Sequence, residues 1–179
     1  MTTNAANTSM SHPAQCLAVL RIVVGLYFLK ALWTKFGVVM LGGVVPVIQV
    51  EQRWLTVMPK IVAKQIEGNP FPWYKAFLED TVLTHASLFG HLTAWGEALV
   101  GLSLVLGLLA GLGALGGLLL SVSYGLAAQH QSGASFGLHY LLVSAMVLFF
   151  VARSGRALGA DAWIARRWPG RWPTRRPLS

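Results

Sequence analysis

Four long apolar stretches dominate the chain, and polar or charged connections separate most of them. A helix needs about 20 mostly apolar residues to cross a bilayer. The charge-free segment from 98 to 128 is too long for one span, so the glycines of "LAGLGALGG" predict a tight turn within it. We predict an all-α integral membrane protein, a bundle of four transmembrane helices at about 17–39, 86–109, 112–128 and 137–152.

The connection between the first and second spans carries its own amphipathic pattern. We expect the segment "VIQVEQRWLTVM" to end at Pro59, and Pro72 to begin a fresh helix as a first-turn residue. Trp54 and Trp73 are residues typical of the headgroup region. The pattern therefore predicts interfacial helices here, and the basic segment around Trp163 predicts another after the fourth span.

Composition supports a membrane protein with one domain. The chain is 55% hydrophobic and 11% charged, whereas soluble domains carry about 25% charged residues. We expect a polar leader at 1–16, a membrane domain at 17–152 and a basic tail at 153–179. The single cysteine, Cys16, excludes an internal disulfide and a cysteine-built metal site.

The positive charge is concentrated at the end of the chain. From Arg153 onward there are seven arginines and one acidic residue, Asp161. Positive segments beside a span favour the cytoplasmic side, so we expect both termini in the cytoplasm and the protein in a bacterial inner membrane. We expect these arginines to contact membrane lipid rather than nucleic acid.

Glu97 lies near the middle of the second predicted span, where a carboxylate needs a partner, a proton or water. At 1.5 Å per residue, Lys30 lies about 20 Å above the cytoplasmic end of its helix and Glu97 about 17 Å below the outer end. In a core of about 30 Å these depths are similar, so we expect Lys30 to pair with Glu97, with Arg21 the second choice. Lys35 is expected to extend to the outer face.

Further polar residues predict a pocket that opens outward. His91 lies in the outer half of the second span, and His139 begins the fourth. The alternative for each histidine is an interfacial side chain, and for Lys30–Glu97 an ion pair that fixes helix register. Haem between His91 and His139 is a further alternative, and no metal-ligand spacing is present.

Several segments together resemble the DoxX/DoxD family, and above all the small membrane subunit of thiosulfate:quinone oxidoreductase. They are "LRIVVGLYFLKALWTKF", "WYKAFLEDTV", "LFGHLTAWGEALVGLSLVLGL" and "GRALGADAWIAR", in that order. The resemblance runs from about Leu17 to Arg167. It implies a four-helix membrane subunit, a quinone as electron acceptor and other protein subunits as partners.

On this resemblance the expected function is that of a membrane subunit in a quinone-linked oxidoreductase that oxidises thiosulfate or another small sulfur compound. Glu97 and Lys30 are the candidate catalytic residues, and the candidates for binding the quinone are His91, His139, Arg21 and Trp95. The alternative is a non-catalytic accessory or scaffolding subunit of a larger membrane complex. A small proton-coupled transporter ranks last, because the cytoplasmic half offers only Arg21 as an intramembrane charge.

Overall fold

The computed structural model describes residues 12–168 and consists mainly of helices. Eight α-helices and two strands follow the chain in this order: α1 His12–Leu29, α2 Ala31–Thr34, β1 Phe36–Leu41, β2 Val45–Val50, α3 Gln52–Ile66, α4 Pro72–Ala76, α5 Ala86–Leu106, α6 Ala110–Ala128, α7 Gly133–Val151 and α8 Ala160–Arg167. A π-helical segment, Phe77–Leu83, continues α4, and a 3₁₀ turn, Ser154–Arg156, precedes α8.

The four expected spans are present. The stretches long and apolar enough to cross a membrane are Pro13–Thr34, Ala86–Leu106, Ala110–Ala128 and Gly133–Val151. This confirms the four-helix class. The predicted leader and basic tail are described only in part. Positions 1–11 of the leader and 169–179 of the tail lie outside the described residues.

The first span begins and ends about four to five residues earlier than predicted, because the chain leaves the helix before Phe36. Residues Phe36–Leu41 instead pair antiparallel with Val45–Val50. Gly42 and Gly43 at the tip adopt positive φ angles of 61° and 77°, which glycine accepts without strain. The β-branched residues of "GVVMLGGVVPVIQV" suit a strand as well as a span, which explains the error in the predicted end near Val39.

Helix α3 continues through Pro59, so the expected end at that residue was wrong. One face of α3 buries Met58, Val62 and Ile66 against Tyr74 and the π-helical segment. Packing on this apolar face offsets the hydrogen bond that proline removes from the helix. Pro72 begins α4 as expected.

Close helix contacts in the bundle depend on glycine. Gly25 of α1 faces Val105 of α5, and an added Cβ at Gly25 would lie 2.8 Å from Cγ2 of Val105. At Gly101 of α5, an added Cβ would lie 2.7 Å from the backbone nitrogen of Leu29. The two glycines therefore let α1 and α5 approach at backbone distance, as small residues do in membrane helix pairs.

The segment after α7 folds back onto the turn between α5 and α6. Asp161 accepts hydrogen bonds from the backbone nitrogens of Leu109 (2.8 Å) and Ala110 (2.9 Å), the first groups of α6. Arg21 is fully buried beside this turn and donates to the carbonyl of Leu158 at 3.1 Å. We call Arg21, Asp161 and the turn they hold the C-terminal clasp. Burial raises the pKa of Asp161, while the two backbone donors, Arg21 and Arg156 act in the opposite direction.

Candidate functional site

Glu97 of α5 is held by two donors from different parts of the chain. Nζ of Lys35 lies 2.7 Å from Oε1 of Glu97, and the hydroxyl of Tyr124 in α6 donates to the same oxygen at 2.6 Å. The side chains of Lys35 and Glu97 are only 10% and 15% exposed. In the described part of the chain no group donates to the second oxygen, Oε2. We call Lys35, Glu97 and Tyr124 the polar triad.

The expected pair between Lys30 and Glu97 is absent from residues 12–168. Lys30 is exposed at the end of α1, and its ammonium lies 5.1 Å from the ring centroid of Tyr27. Lys35 follows the short helix α2 and is buried instead of reaching the outer face. The backbone carbonyl of Lys35 accepts a hydrogen bond from the nitrogen of Glu51 at 2.9 Å. The base of the hairpin therefore directs Lys35 inward.

Trp54 of α3 covers the ammonium of Lys35. The ring centroid of Trp54 lies 4.1 Å from Nζ of Lys35, a distance typical of a cation–π contact. The indole nitrogen of Trp54 donates to the carbonyl of Gly90 in α5 at 3.0 Å, which fixes the ring against the bundle. Trp54 thus covers the Lys35–Glu97 pair from the side of α3.

A cavity of about 560 Å³ extends from the polar triad, and we call it the central cavity. Its walls come from α3, α4, the π-helical segment, α5 and α6, and most of its lining is apolar. A volume of this size falls within the range of ligand sites in proteins, roughly 300–1,000 Å³. The lining residues are Lys35, Trp54, Met58, Ile61, Val62, Gln65, Tyr74, Phe77, Leu78, Val82, Phe89, Leu92, Thr93, Gly96, Glu97, Val100, Gly116, Leu119, Leu120, Ser123, Tyr124 and Ala127.

Tyr74 of α4 forms part of the cavity wall. Its hydroxyl donates to the carbonyl of Ser123 in α6 at 2.8 Å. Burial raises the pKa of Tyr74, so the hydroxyl stays protonated and keeps this bond. The π-helical turn that follows places Phe77, Leu78 and Val82 on the cavity. Such turns are frequent at functional sites, because they change the direction of side chains within a helix.

The other residues predicted for the site lie away from the central cavity. Arg21 belongs to the C-terminal clasp. Trp95 packs edge-to-face on Phe36, with ring centroids 4.8 Å apart. Nδ1 of His91 bonds the carbonyl of Ser87 at 2.8 Å, and Nδ1 of His139 bonds that of Ser135 at 2.6 Å. None of these residues lines the central cavity, and the two histidines border different cavities.

Sequence reasoning found Glu97 but missed its partners. The sequence analysis treated the first span as one straight helix to Val39. In such a helix Lys35 lies near the outer end of the span, above the depth of Glu97. Tyr124 belongs to a span without histidine or charged residues, so nothing nearby in the sequence marked it as a site residue. Trp54 was assigned to the interface by residue type alone. Only the contacts between distant segments bring these residues together.

Comparison with known proteins gave one family match. The family described as TQO small subunit DoxD matches residues 16–172, most of the chain. Neither the curated proteins nor the solved structures gave a significant match.

Proposed function

The chain belongs to the DoxD family of small subunits of thiosulfate:quinone oxidoreductase (TQO), and on that premise we propose that the central cavity binds a quinone with its head group at Glu97. Family membership makes the protein a membrane subunit of this oxidoreductase type. The observation that carries the proposal is the polar triad, which places the only charged side chains of the described lining at a mostly apolar cavity.

The chemistry of a quinone fits this arrangement. Reduction of a quinone to a quinol takes two electrons and two protons, and both carbonyl oxygens become hydroxyl groups. Oε2 of Glu97 is the carboxylate oxygen that the described residues leave without a donor. A protonated Glu97 would donate there to a quinone carbonyl, and an ionised Glu97 would accept from a quinol hydroxyl. Lys35 and Tyr124 hold the carboxyl group in position by bonding to Oε1.

The surface of the cavity favours a ligand that arrives from the lipid. Leu92 of α5 and Leu119 of α6 line the cavity, and they are 56% and 69% exposed. Both residues lie on spans, so the cavity reaches the surface that lipid covers. Apolar walls around Ile61 and Phe77 would accommodate the start of an isoprenoid chain.

The reducing electrons would come from thiosulfate or another small sulfur compound, oxidised with the help of a further subunit. A membrane small subunit implies such a protein partner. We place the protein in a bacterial inner membrane with both termini in the cytoplasm, because Arg153, Arg156, Arg166 and Arg167 follow the last span. Lipid is the second partner, in contact with the spans.

The second candidate function is that of a non-catalytic accessory subunit. In that case the polar triad is a buried ion pair that fixes the register of helices, a known use of such pairs. The central cavity favours the quinone site, because an ion pair that only fixes register has no need of an adjoining cavity.

The test is thiosulfate-dependent quinone reduction in membranes that contain the neighbouring subunits and equal amounts of each variant. We expect Glu97→Gln to reduce turnover at least about tenfold, because proton transfer by a positioned side chain contributes roughly 10²–10⁴-fold. Glu79→Gln is the matched control, since Glu79 is exposed outside the spans and its carboxylate contacts, among the described residues, only Lys75, at 3.9 Å. Equal turnover of Glu97→Gln and wild type would exclude Glu97 from the reaction.

A further inference from the structure

A row of exposed basic side chains follows one face of α3, and we call Arg53, Lys60 and Lys64 the basic stripe. At 100° per residue, Lys60 and Lys64 point within about 20° of Arg53, so the three side chains share one line along the helix. Val62 lies nine positions after Arg53 and points in about the opposite direction, into the apolar cluster of the bundle. The apolar face of α3 is therefore buried on protein, and the basic stripe points away from it.

No acidic side chain neutralises the basic stripe. Helix α3 contains no aspartate or glutamate, and the acidic residues that flank it are Glu51 and Glu67. Within residues 12–168, neither of these carboxylates nor any other forms an ion pair with the stripe. On the proposed topology the stripe lies on the outer side of the membrane, where the positive-inside bias does not account for basic residues. Its charge is therefore available to a negatively charged partner.

The contacts of α3 place the basic stripe at the level of lipid head groups. Near the start of α3, the indole nitrogen of Trp54 donates to the carbonyl of Gly90, which lies about 6 Å inside the end of the α5 span. Near the other end, the side-chain amide of Gln131, beyond the last residue of α6, donates to the carbonyl of Lys64 at 3.4 Å. Helix α3 thus runs from inside the apolar level to beyond the spans, across the layer of about 5–8 Å that head groups occupy.

Two exposed apolar side chains lie beside the stripe. Val57 and Ile61 are 39% and 42% exposed, one turn after Arg53 and directly after Lys60. Such a mixture is typical of a helix at the membrane interface, where apolar side chains contact acyl chains and the long stems of lysine and arginine reach phosphate groups. It favours lipid over the acidic surface of a water-soluble protein, because the start of α3 lies below the level that such a protein reaches.

We propose that the basic stripe binds the phosphate groups of anionic phospholipids, in the leaflet where α5 begins and α6 ends. The three cations select a head group with a net negative charge, because the choline of a zwitterionic lipid offsets its phosphate. Each basic residue close to an anionic surface enriches such lipids roughly fivefold. The proposal is independent of a quinone at Glu97, since no residue of the stripe lines the central cavity.

The test measures which lipid lies beside α3, with the full-length protein in phosphatidylcholine nanodiscs. Cys16→Ser removes the native thiol, and Val57→Cys carries a bimane fluorophore within the stripe. Added phosphatidylglycerol or phosphatidylcholine, with a nitroxide on the acyl chain close to the head group, quenches the fluorophore on contact. We expect phosphatidylglycerol to quench at about one tenth of the mole fraction that phosphatidylcholine needs. Lys60→Gln with Lys64→Gln should reduce this preference to about twofold or less, whereas Lys60→Arg with Lys64→Arg should retain it.

Lys75→Gln is the matched control, because Lys75 is an exposed lysine outside α3, 3.9 Å from Glu79. It should leave the preference unchanged, and an equal loss there would mean that net charge alone attracts the lipid, which overturns the stripe as a site. Quenching by phosphatidylcholine checks that α3 keeps its position in each variant. Equal quenching by the two lipids with the stripe intact would contradict the proposal. Quenching by neither lipid would also contradict it and would leave an acidic protein surface as the occupant.

Discussion

At the scale of single residues, the partner of Glu97 was the decisive question. Arithmetic on helix depth favoured Lys30, yet the structure pairs Glu97 with Lys35. The arithmetic assumed one straight helix, whereas α1 ends at Leu29 and the chain turns through α2 into a strand. Depth from residue number was therefore insufficient to choose between two lysines five positions apart.

Removing the charge of Lys35 should lower the stability of the protein more than removing the charge of Lys30. We expect Lys35→Met to lower the free energy of unfolding by about 3 kcal/mol, because it leaves the carboxylate of Glu97 without its counter-ion in a poorly hydrated place. Lys30→Met is the matched control and should change it by less than about 0.5 kcal/mol, since Lys30 is exposed. Unfolding in detergent micelles, followed by tryptophan fluorescence, measures both. Equal losses would show that Lys30 shares the carboxylate.

Substitution of Tyr124 tests whether the second hydrogen-bond donor to Glu97 contributes to quinone binding. Tyr124→Phe removes only the hydroxyl that donates to Glu97 at 2.6 Å, so we expect the protein to fold and the affinity for quinone to fall about three- to tenfold. Tyr140→Phe serves as the matched control, because it removes a tyrosine hydroxyl that does not line the central cavity. Quinone titration of the two purified variants gives the comparison. Unchanged affinity in Tyr124→Phe would exclude a positioning role.

At the scale of elements, the C-terminal clasp links the segment after α7 to the start of α6. Asp161 accepts two backbone hydrogen bonds there, as a capping residue does, and Gly107 adopts a φ of 62° beside Arg21. An added Cβ at Gly107 would overlap Nη1 of Arg21, so the turn requires glycine. The sequence predicted a tight turn here and a helix around Trp163, but the contact between them depends on long-range packing.

Asp161→Ala should loosen this clasp. We expect the free energy of unfolding to fall by about 2 kcal/mol, since both backbone donors of α6 lose their acceptor. Trypsin should then cleave faster at Arg166 and Arg167. Trp163→Ala, which changes an exposed residue of the same helix, should leave both measurements unchanged. Cleavage at the wild-type rate in Asp161→Ala would mean that α8 is held by other contacts.

The same carboxyl group predicts a pH effect. Its folded pKa is raised by burial, so it binds its proton more tightly in the folded than in the unfolded chain. The stability contributed by Asp161 is therefore present below its ordinary pKa and decreases as pH rises through the raised value. Asp161→Asn cannot titrate, so the unfolding free energy of the wild type minus that of Asp161→Asn should fall as the pH rises above about 4, the ordinary pKa of aspartate. A constant difference would contradict the raised pKa.

At the scale of the whole molecule, the four-helix class followed from hydrophobic length alone, because no other element satisfies its backbone groups so simply in lipid. Hydrophobic length could not predict the hairpin at 36–50, since its apolar residues fit a span equally well. The central cavity could not be predicted in this way either, because α3, α4, the π-helical segment, α5 and α6 together form its walls. Periodicity describes one element at a time, and a cavity exists only between elements.

The measurement that tests the central claim most directly is photoaffinity labelling with an azido-substituted quinone, with the adducts located by mass spectrometry. We predict adducts in α3 between Met58 and Gln65 and in α6 between Leu119 and Ala127, on residues that line the central cavity. Excess unlabelled quinone should suppress them, and Glu97→Gln should reduce them. Adducts that avoid these segments, or that Glu97→Gln leaves unchanged, would contradict a quinone site at Glu97.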